Sequence, residues 1–366
     1  MPADQDPAAR TPRATLRDVA LRAGVAISTA SLVYSGKKPV APATAEKVRE
    51  AATELGYHGP DPIASSLRQG RSGVIGAVVP SRLLHAFRDP YAVTMFDGLA
   101  ETLGDLGTGL LLMPESAPGS EPPPGSNLAV DAVVFLLSSE EAHPLVPELV
   151  GRGIPMVGTG SPVDPHIVQV RVDDRRATAA LARHVHELGH RHVGHVLMPL
   201  QPDQVTRRVT RAEVAEATLP ITRERAEGVR DVFGDVPMVS AAEADIEAGR
   251  AAADLLLGLD PRPTAILAQS DLLAVGAVRA AEARGLRVPE DVSVSGFDGV
   301  ELPWLGRRLT TVDQRPAEKG RLVGEALRHL LAGESVEDVE LDAPLRLGDT
   351  TAAPPRPAPP TPGPPG

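Results

Sequence analysis

Apolar residues recur along this chain in two rhythms, and the rhythm changes near residue 73. Before that point Leu16, Val19, Ala20 and Ala23 repeat at three- and four-residue spacing, the mark of an amphipathic helix. Thr15 stands where a helix cap belongs, with Asp18 placed to complete a capping box, and Gly24 supplies a tight turn. A second helix is predicted over 27–34, with Val25, Ala30 and Val33 facing inward. Pro39 and Pro42 punctuate the start of a third, whose stripe is Val48, Ala51, Ala52 and Leu55 and whose end is Gly56. From residue 73 onward, short apolar runs alternate with longer amphipathic ones. Strands are predicted at 74–79, 110–113, 132–137, 155–158, 193–197, 265–268 and 292–296. Helices are predicted at 93–106, 145–152, 175–188, 223–233, 246–257, 272–284 and 316–331. Strand–helix alternation predicts parallel sheets joined by right-handed crossovers.

The segments between follow from composition. Residues 114–126 are rich in Pro and Gly and read as a surface loop; 201–219 is polar with room for a helix of its own. Residues 1–13 and the Pro-rich tail 352–366 are expected to be disordered. The expected organisation is an all-α helix-turn-helix head over 14–58, a linker over 59–72 with a short helical pattern, and a two-lobed α/β domain over 73–351. A length of 366 residues is consistent with that division.

Composition changes the picture in three ways. Aromatics are 2% of residues, so the cores rest on Leu, Val, Ile and Ala. There is no cysteine, which excludes disulfides, thiolate catalysis and cysteine-bound zinc. The start of the chain lacks the apolar stretch of a signal peptide and no apolar run is long enough to span a bilayer, so a cytoplasmic protein with no membrane partner is expected. The net charge of −11 is unfavourable for contact with nucleic acid. Its distribution is not: residues 10–71 carry ten Lys and Arg against five Asp and Glu, and the excess of acid lies beyond them. A basic head on an acidic body suits a protein whose head alone meets phosphates.

By periodicity alone, three short helices fit a plain bundle as well as a DNA-reading head. If they are a helix-turn-helix, the second helix enters the major groove, with Ile27, Ser28, Thr29, Ser31 and Leu32 facing outward. Ser28 can hydrogen-bond base edges and Ile27 can pack on thymine methyls, while Thr15, Arg17, Thr29 and Ser31 suit the phosphate backbone. The stretch Thr15-Leu-Arg-Asp-Val-Ala-Leu-Arg-Ala-Gly-Val-Ala-Ile-Ser-Thr-Ala-Ser-Leu-Val-Tyr-Ser-Gly36, followed by Lys47-Val-Arg-Glu-Ala-Ala-Thr-Glu-Leu-Gly-Tyr57, resembles the head of the lac-repressor (LacI/GalR) family of bacterial transcriptional regulators. Two positions depart from the family pattern. Ala26 stands where a capping serine is usual, and Leu32 where many members have a base-reading arginine. The resemblance implies that Pro60-Asp-Pro-Ile-Ala-Ser-Ser-Leu67 is a hinge helix whose Leu67, with Ala64 one turn earlier, wedges into the minor groove.

The resemblance continues through the body. Gly73-Val-Ile-Gly-Ala-Val-Val-Pro80, Asp89-Pro-Tyr-Ala-Val-Thr-Met-Phe-Asp-Gly-Leu99, Val172-Asp-Asp174, Val288-Pro-Glu-Asp-Val-Ser-Val-Ser-Gly-Phe-Asp298 and Thr310-Thr-Val-Asp-Gln314 look like a periplasmic-binding-protein-like sensing domain. It implies one lobe over about 73–171 plus 313–338, a second made of the remainder, and a ligand cleft at the carboxyl ends of the strands. Arg225, Asp298 and Gln314 match effector-contacting positions, and Tyr91, Phe87, Phe135 and Trp304 are candidates for apolar walls. Ser270 and Asp271 open a helix and read as caps. His184, His186, His190, His192 and His195 cluster without a metal site being expected of them, and neither a nucleophile–base pattern nor a phosphate loop is present. The implied function is a regulator, most simply a repressor, without catalysis or cofactor. It would bind a palindromic operator in double-stranded DNA as a homodimer and respond to a small effector, a sugar or related metabolite. Inducer and corepressor responses are both open. A solute-binding protein without a DNA role would fit the body but not the head.

Overall fold

The computed structural model describes residues 14–35, 38–59, 71–79, 83–115, 127–137, 139–201 and 205–355. The chain divides into two compact units, Met1–Ser72 and Gly73–Gly366.

In the first unit, helices α1 (Leu16–Ala23), α2 (Ile27–Ser35) and α3 (Pro42–Glu54) close around Val19, Ala20, Ala30, Val48, Ala51 and Ala52. The capping box forms: Thr15 Oγ1 accepts the Asp18 N–H, and Asp18 accepts the Thr15 N–H at 2.8 Å. Gly24, at φ 67, takes the left-handed turn that ends α1. Tyr34 and Tyr57 meet edge to face at 5.5 Å and seal one side of this small core.

The second unit is built on two sheets. The first has the order β12-β5-β4-β3-β1-β2 and the second β13-β11-β10-β9-β6-β8-β7. In chain order the elements are β1 (Val74–Val79), α4 (Leu83–Ala86), α5 (Pro90–Leu106), β2 (Gly109–Pro114), β3 (Ala132–Phe135), α6 (Val146–Gly151), β4 (Met156–Gly158) and β5 (Ile167–Val172). The chain then passes to the second sheet with α7 (Asp174–Glu187), β6 (Val193–Leu197), β7 (Arg207–Val209), α8 (Arg211–Ala215) and α9 (Pro220–Phe233). It continues through β8 (Met238–Ser240), α10 (Ile246–Leu257), β9 (Ala265–Ala268), α11 (Asp271–Ala283), β10 (Ser293–Asp298) and β11 (Thr310–Asp313). It returns to the first sheet with α12 (Pro316–Leu331) and β12 (Val339–Leu341), and ends in the second with β13 (Leu345–Arg346). Except at β7 and β13, the pairings are parallel.

Three crossovers therefore join the lobes, at 172–174, 313–316 and 341–345. Lobe one reaches beyond the expected limits: Val172 is part of β5, and β12 pairs with β5 in register Val339↔Val170. Within lobe one α5 lies against α12 at glycine contacts. A Cβ on Gly320 would sit 2.1 Å from the Met95 carbonyl, and one on Gly98 2.0 Å from that of Ala317. Only glycine permits this approach, which brings the first turns of both helices to the cleft. The helix expected from residue 93 starts earlier, at Pro90, because Asp89 caps it and proline is pre-organised for a first turn. The tail expected to be disordered from residue 352 is anchored at its start: the Ala352 N–H donates to Ser293 Oγ at 3.0 Å, and its carbonyl meets His190 Nε2 at 2.8 Å. Residues 1–13 and 356–366 lie outside the described residues.

Candidate functional site

Two sites emerge, one in each unit. On the head, α2 exposes its amino-terminal turn. Ile27 is 51% exposed, which is unusual for a large apolar side chain. Ser28 and Ser31 are exposed beside it, and Thr29 and Leu32 are half-buried. The Ala26 carbonyl accepts the Thr29 and Ala30 N–H groups, but Ala26 has no side-chain oxygen to cap the helix. Arg17 is exposed on α1, and the Thr15 hydroxyl is engaged with Asp18. Ala64 and Leu67 lie outside the described residues.

The second site is a cavity of about 530 Å³ between the lobes. It lies at the carboxyl ends of the strands, where parallel sheets direct their loops. β10 and β11 run in register with Asp298 opposite Asp313, so Asp298 and Gln314 emerge side by side. Gln314 Nε2 donates to Asp298 Oδ1 at 2.8 Å, and Tyr91 donates its hydroxyl hydrogen to Gln314 Oε1 at 3.2 Å. The Asp271 N–H, at the start of α11, donates to the other oxygen of Asp298 at 3.0 Å. Arg225 projects from α9 and is buried. Its Nε donates to Asp174 Oδ1 at 2.7 Å, one terminal nitrogen reaches the Gln269 carbonyl, and its plane lies 3.8 Å from the centre of the Phe297 ring. Arg225 is therefore no solvent-facing helix charge, since it is only 4% exposed.

The four residues expected to contact an effector thus line one cavity, and the structure adds two the sequence reading passed over. Asp174 is the carboxylate that holds Arg225. Lys319, one turn into α12, is 3% exposed, lines the cavity and donates to the Tyr91 hydroxyl at 3.3 Å. Its signal was legible, since it interrupts an otherwise apolar or glycine stripe of Pro316, Gly320, Val323 and Leu327. Burial lowers the Lys319 ammonium to about 8 and raises the Tyr91 phenol. Burial, and then the neighbouring Asp271, push the Asp298 carboxyl well above the usual carboxylate range. Asp271 accepts three hydrogen bonds, from Gly299 N–H, Val300 N–H and Thr311 Oγ1, so it is the better-stabilised anion and Asp298 the one that holds a proton. The floor offers both donors and acceptors, which suits the hydroxyls of a small polar ligand.

Several expectations for the walls need correction. Phe135 lies in the β3 core against His143, and Phe87 is 61% exposed and does not line the cavity. Trp304 does line it, at the rim, with Arg279 5.9 Å from its ring. Tyr91 contributes its hydroxyl as well as its ring. Ser270 caps α11 by accepting the Leu273 N–H. The histidines separate in space: His190 ties Thr264, Ser293 and Ala352 together, His195 is buried in β6, and His186 packs on Phe233. Among the described residues no group of three such side chains could hold a metal ion. No helix among them is long and apolar enough to cross a membrane.

Comparison with known proteins addresses both units. Residues 15–60 match the model of bacterial regulatory proteins of the lacI family, and 182–351 match that of a periplasmic-binding-protein-like domain. An HTH-type transcriptional regulator of Mycolicibacterium smegmatis is 36% identical over 87% of this chain and 90% of its own length. Among solved structures, a LacI-family transcriptional regulator of Corynebacterium glutamicum is 28% identical, with a TM-score of 0.70 over 92% of this chain and 98% of its own. The complex of the transcriptional regulator CelR with cellobiose is 26% identical, with a TM-score of 0.63 over 92% and 100%.

Proposed function

Since the chain belongs to the lacI family of bacterial regulatory proteins, and is a DNA-binding transcriptional regulator, we propose that it is a cytoplasmic repressor released or engaged by a polyhydroxylated effector. The effector, a sugar or related metabolite, binds in the cleft between the lobes, and a homodimer grips a palindromic operator. One observation carries the reading. The polar groups of the cavity come from both lobes, with Tyr91 and Lys319 on one side and Arg225, Asp174 and Asp298 on the other. A ligand that bonds to both sides favours one lobe arrangement, and that differential affinity is what regulation requires.

The cellobiose complex of the related regulator supports a sugar-like ligand. Exposed Ile27 and Ser28 support base contact through α2, with thymine methyls rather than an arginine–guanine pair as the apolar target. Arg17, Thr15, Thr29 and Ser31 serve the phosphates, Leu32 adds an apolar contact one turn after Ser28 on α2, and Leu67 with Ala64 supplies a minor-groove wedge. Exposed Leu84 on α4 and Leu110 and Leu111 on the edge strand β2 support an apolar contact between two copies. The proposal includes no catalysis.

The test is a thermal-shift screen of sugars and polyols on the full chain, followed by selection of bound DNA from a random pool and a release assay with each hit. The expected result is a palindromic site whose binding changes with a hydroxylated hit. Recovery of no sequence-specific DNA would overturn the regulator's proposed operator, and sequence-specific binding indifferent to every stabilising compound would overturn the effector reading.

A further inference from the structure

The lobe-one wall of the cleft carries a buried pair that the network at the floor does not use. Glu115 follows β2 and lines the cavity. Its Oε1 and the Nε2 of His143 are both buried without a hydrogen-bond partner. They lie 3.7 Å apart, too far to satisfy each other. The Leu145 N–H donates to Nδ1 of His143, so the neutral ring carries its proton on Nε2, toward the carboxyl. Hydrogen bonds from Ser139 and the Glu140 backbone steady the Glu115 carboxyl, and the Glu140 side chain repels it. Burial is the strongest influence and raises Glu115 to about 7, while it lowers His143 to about 4.

The same segment, 139–145, reaches the opposite lobe. The Glu141 N–H donates to the Thr218 carbonyl at 3.0 Å, and Arg223 donates to the Glu141 carboxylate at 2.6 Å. The other arm of Arg223 holds the Ala217 carbonyl at 2.6 Å. The Val163 N–H donates to the Glu141 carbonyl, and the Ser139 N–H donates to Ser161 Oγ on the cleft wall. On the lobe-two side, Leu219 and Ile221 line the cavity just before Arg225 on α9. This clasp ties the lobes without a covalent link, as the ion pair of Arg176 on α7 with Glu340 on β12 does at 3.0 Å.

We propose that Glu115, His143 and Glu141 form one lobe-coupling device, in which a hydroxyl donor of the effector, taken by the Glu115 carboxyl, is transmitted through the 139–145 segment to the Glu141–Arg223 clasp and favours a closed cleft. It rests on the reading of the cavity as the effector site. A buried carboxylate short of donors is costly, and either a proton or a ligand hydroxyl relieves it. Without either, the ionised group and Glu140 push apart, and the strain falls on the segment that carries Glu141. Glu115 is then a specificity-determining contact that selects a hydroxyl over an ether or a ketone at this wall, and His143 is its positioning residue.

The proton is the probe that tests the device without any effector. Hydrogen–deuterium exchange on the full chain, corrected for the intrinsic pH effect, reads 139–145 and 217–223 at about pH 6 and about pH 8, on either side of the Glu115 transition. The expected result is that both segments open together, several-fold more at the higher pH. E115Q keeps both closed at both values, and R223Q opens both at both values. Glu140 is half-buried, so E140Q leaves the fold intact and moves the transition to lower pH by removing the repulsion. Opening that is independent of pH in the parent, an E115Q profile like the parent's, or loosening by R223Q of its own lobe alone would overturn the proposal. Because no effector is present, these outcomes are separate from operator release, on which the effector reading stands.

Discussion

Replacing Arg225 with Met removes the cation from the floor of the cleft while keeping much of its volume. Arg225 and Asp174 are 5% and 8% exposed at the side chain and 2.7 Å apart. The substitution therefore strands a carboxylate where water reaches poorly. Breaking one partner of such a pair costs about 3–5 kcal/mol. The charged hydrogen bond to the Gln269 carbonyl and the stacking on Phe297 vanish in the same event. They overlap with the ion pair, so the whole is set at about 4 kcal/mol rather than a sum. In a domain of this size that is a fall of roughly 8–16 °C in Tm. The double variant Asp174→Asn with Arg225→Met removes the stranded charge and is expected to recover about half of the loss or more. Urea unfolding of the single and double variants gives the coupling energy. A single-variant cost below about 1 kcal/mol, or a double variant no more stable than Arg225→Met alone, would refute the reasoning.

Lys319 has its ammonium lowered to about 8 by burial. A depressed cation contributes stability above its unfolded value and loses it as pH falls through the folded one. The stability of the parent relative to Lys319→Met is therefore expected to rise between pH 8 and the ordinary lysine range, measured by Tm against pH. Gly320→Ala drives a Cβ against the Met95 carbonyl and is expected to cost about 3 kcal/mol or prevent folding. Gly104→Ala, on the same α5 with open space around it, is expected to stabilise by roughly 0.5–1 kcal/mol in the same denaturation assay. Leu67→Ala is expected to weaken specific operator binding by tenfold or more, or about 1.4 kcal/mol, and to spare nonspecific binding, as read by gel shift with and without competitor DNA.

The head was legible because its cues are local: a capping box at Thr15 and Asp18, a left-handed glycine at 24, and one apolar stripe per helix. The central strands were legible as short apolar runs. β5 was missed although Val168, Val170 and Val172 alternate with Gln169 and Arg171, because the run follows a loop rather than a helix. β7, β8, β12 and β13 span two or three residues each, and their neighbours, not their own pattern, make them strands. The same limit applied to the cleft. Arg225, Asp298 and Gln314 stand in readable motifs, whereas Glu115 sits in a stretch read as surface loop and becomes part of a wall only when 139–145 folds against it. Local spacing cannot reveal a partnership between Asp174 and Arg225, 51 residues apart.

The return of the chain to the first sheet at α12 and β12 bears on how the protein is made. Lobe one begins at residue 74 but lacks its packing helix and an edge strand until residue 341 has been synthesised. The head is complete after α3, at residue 54. At a translation rate of roughly 5–20 residues per second, the interval between the two is on the order of half a minute. A nascent chain passes that interval with a folded basic head and an unfinished sensor. For the same reason a contiguous fragment of 73–172 is expected to be an aggregation-prone product, and an engineered single lobe would have to graft 313–341 onto it through a new linker.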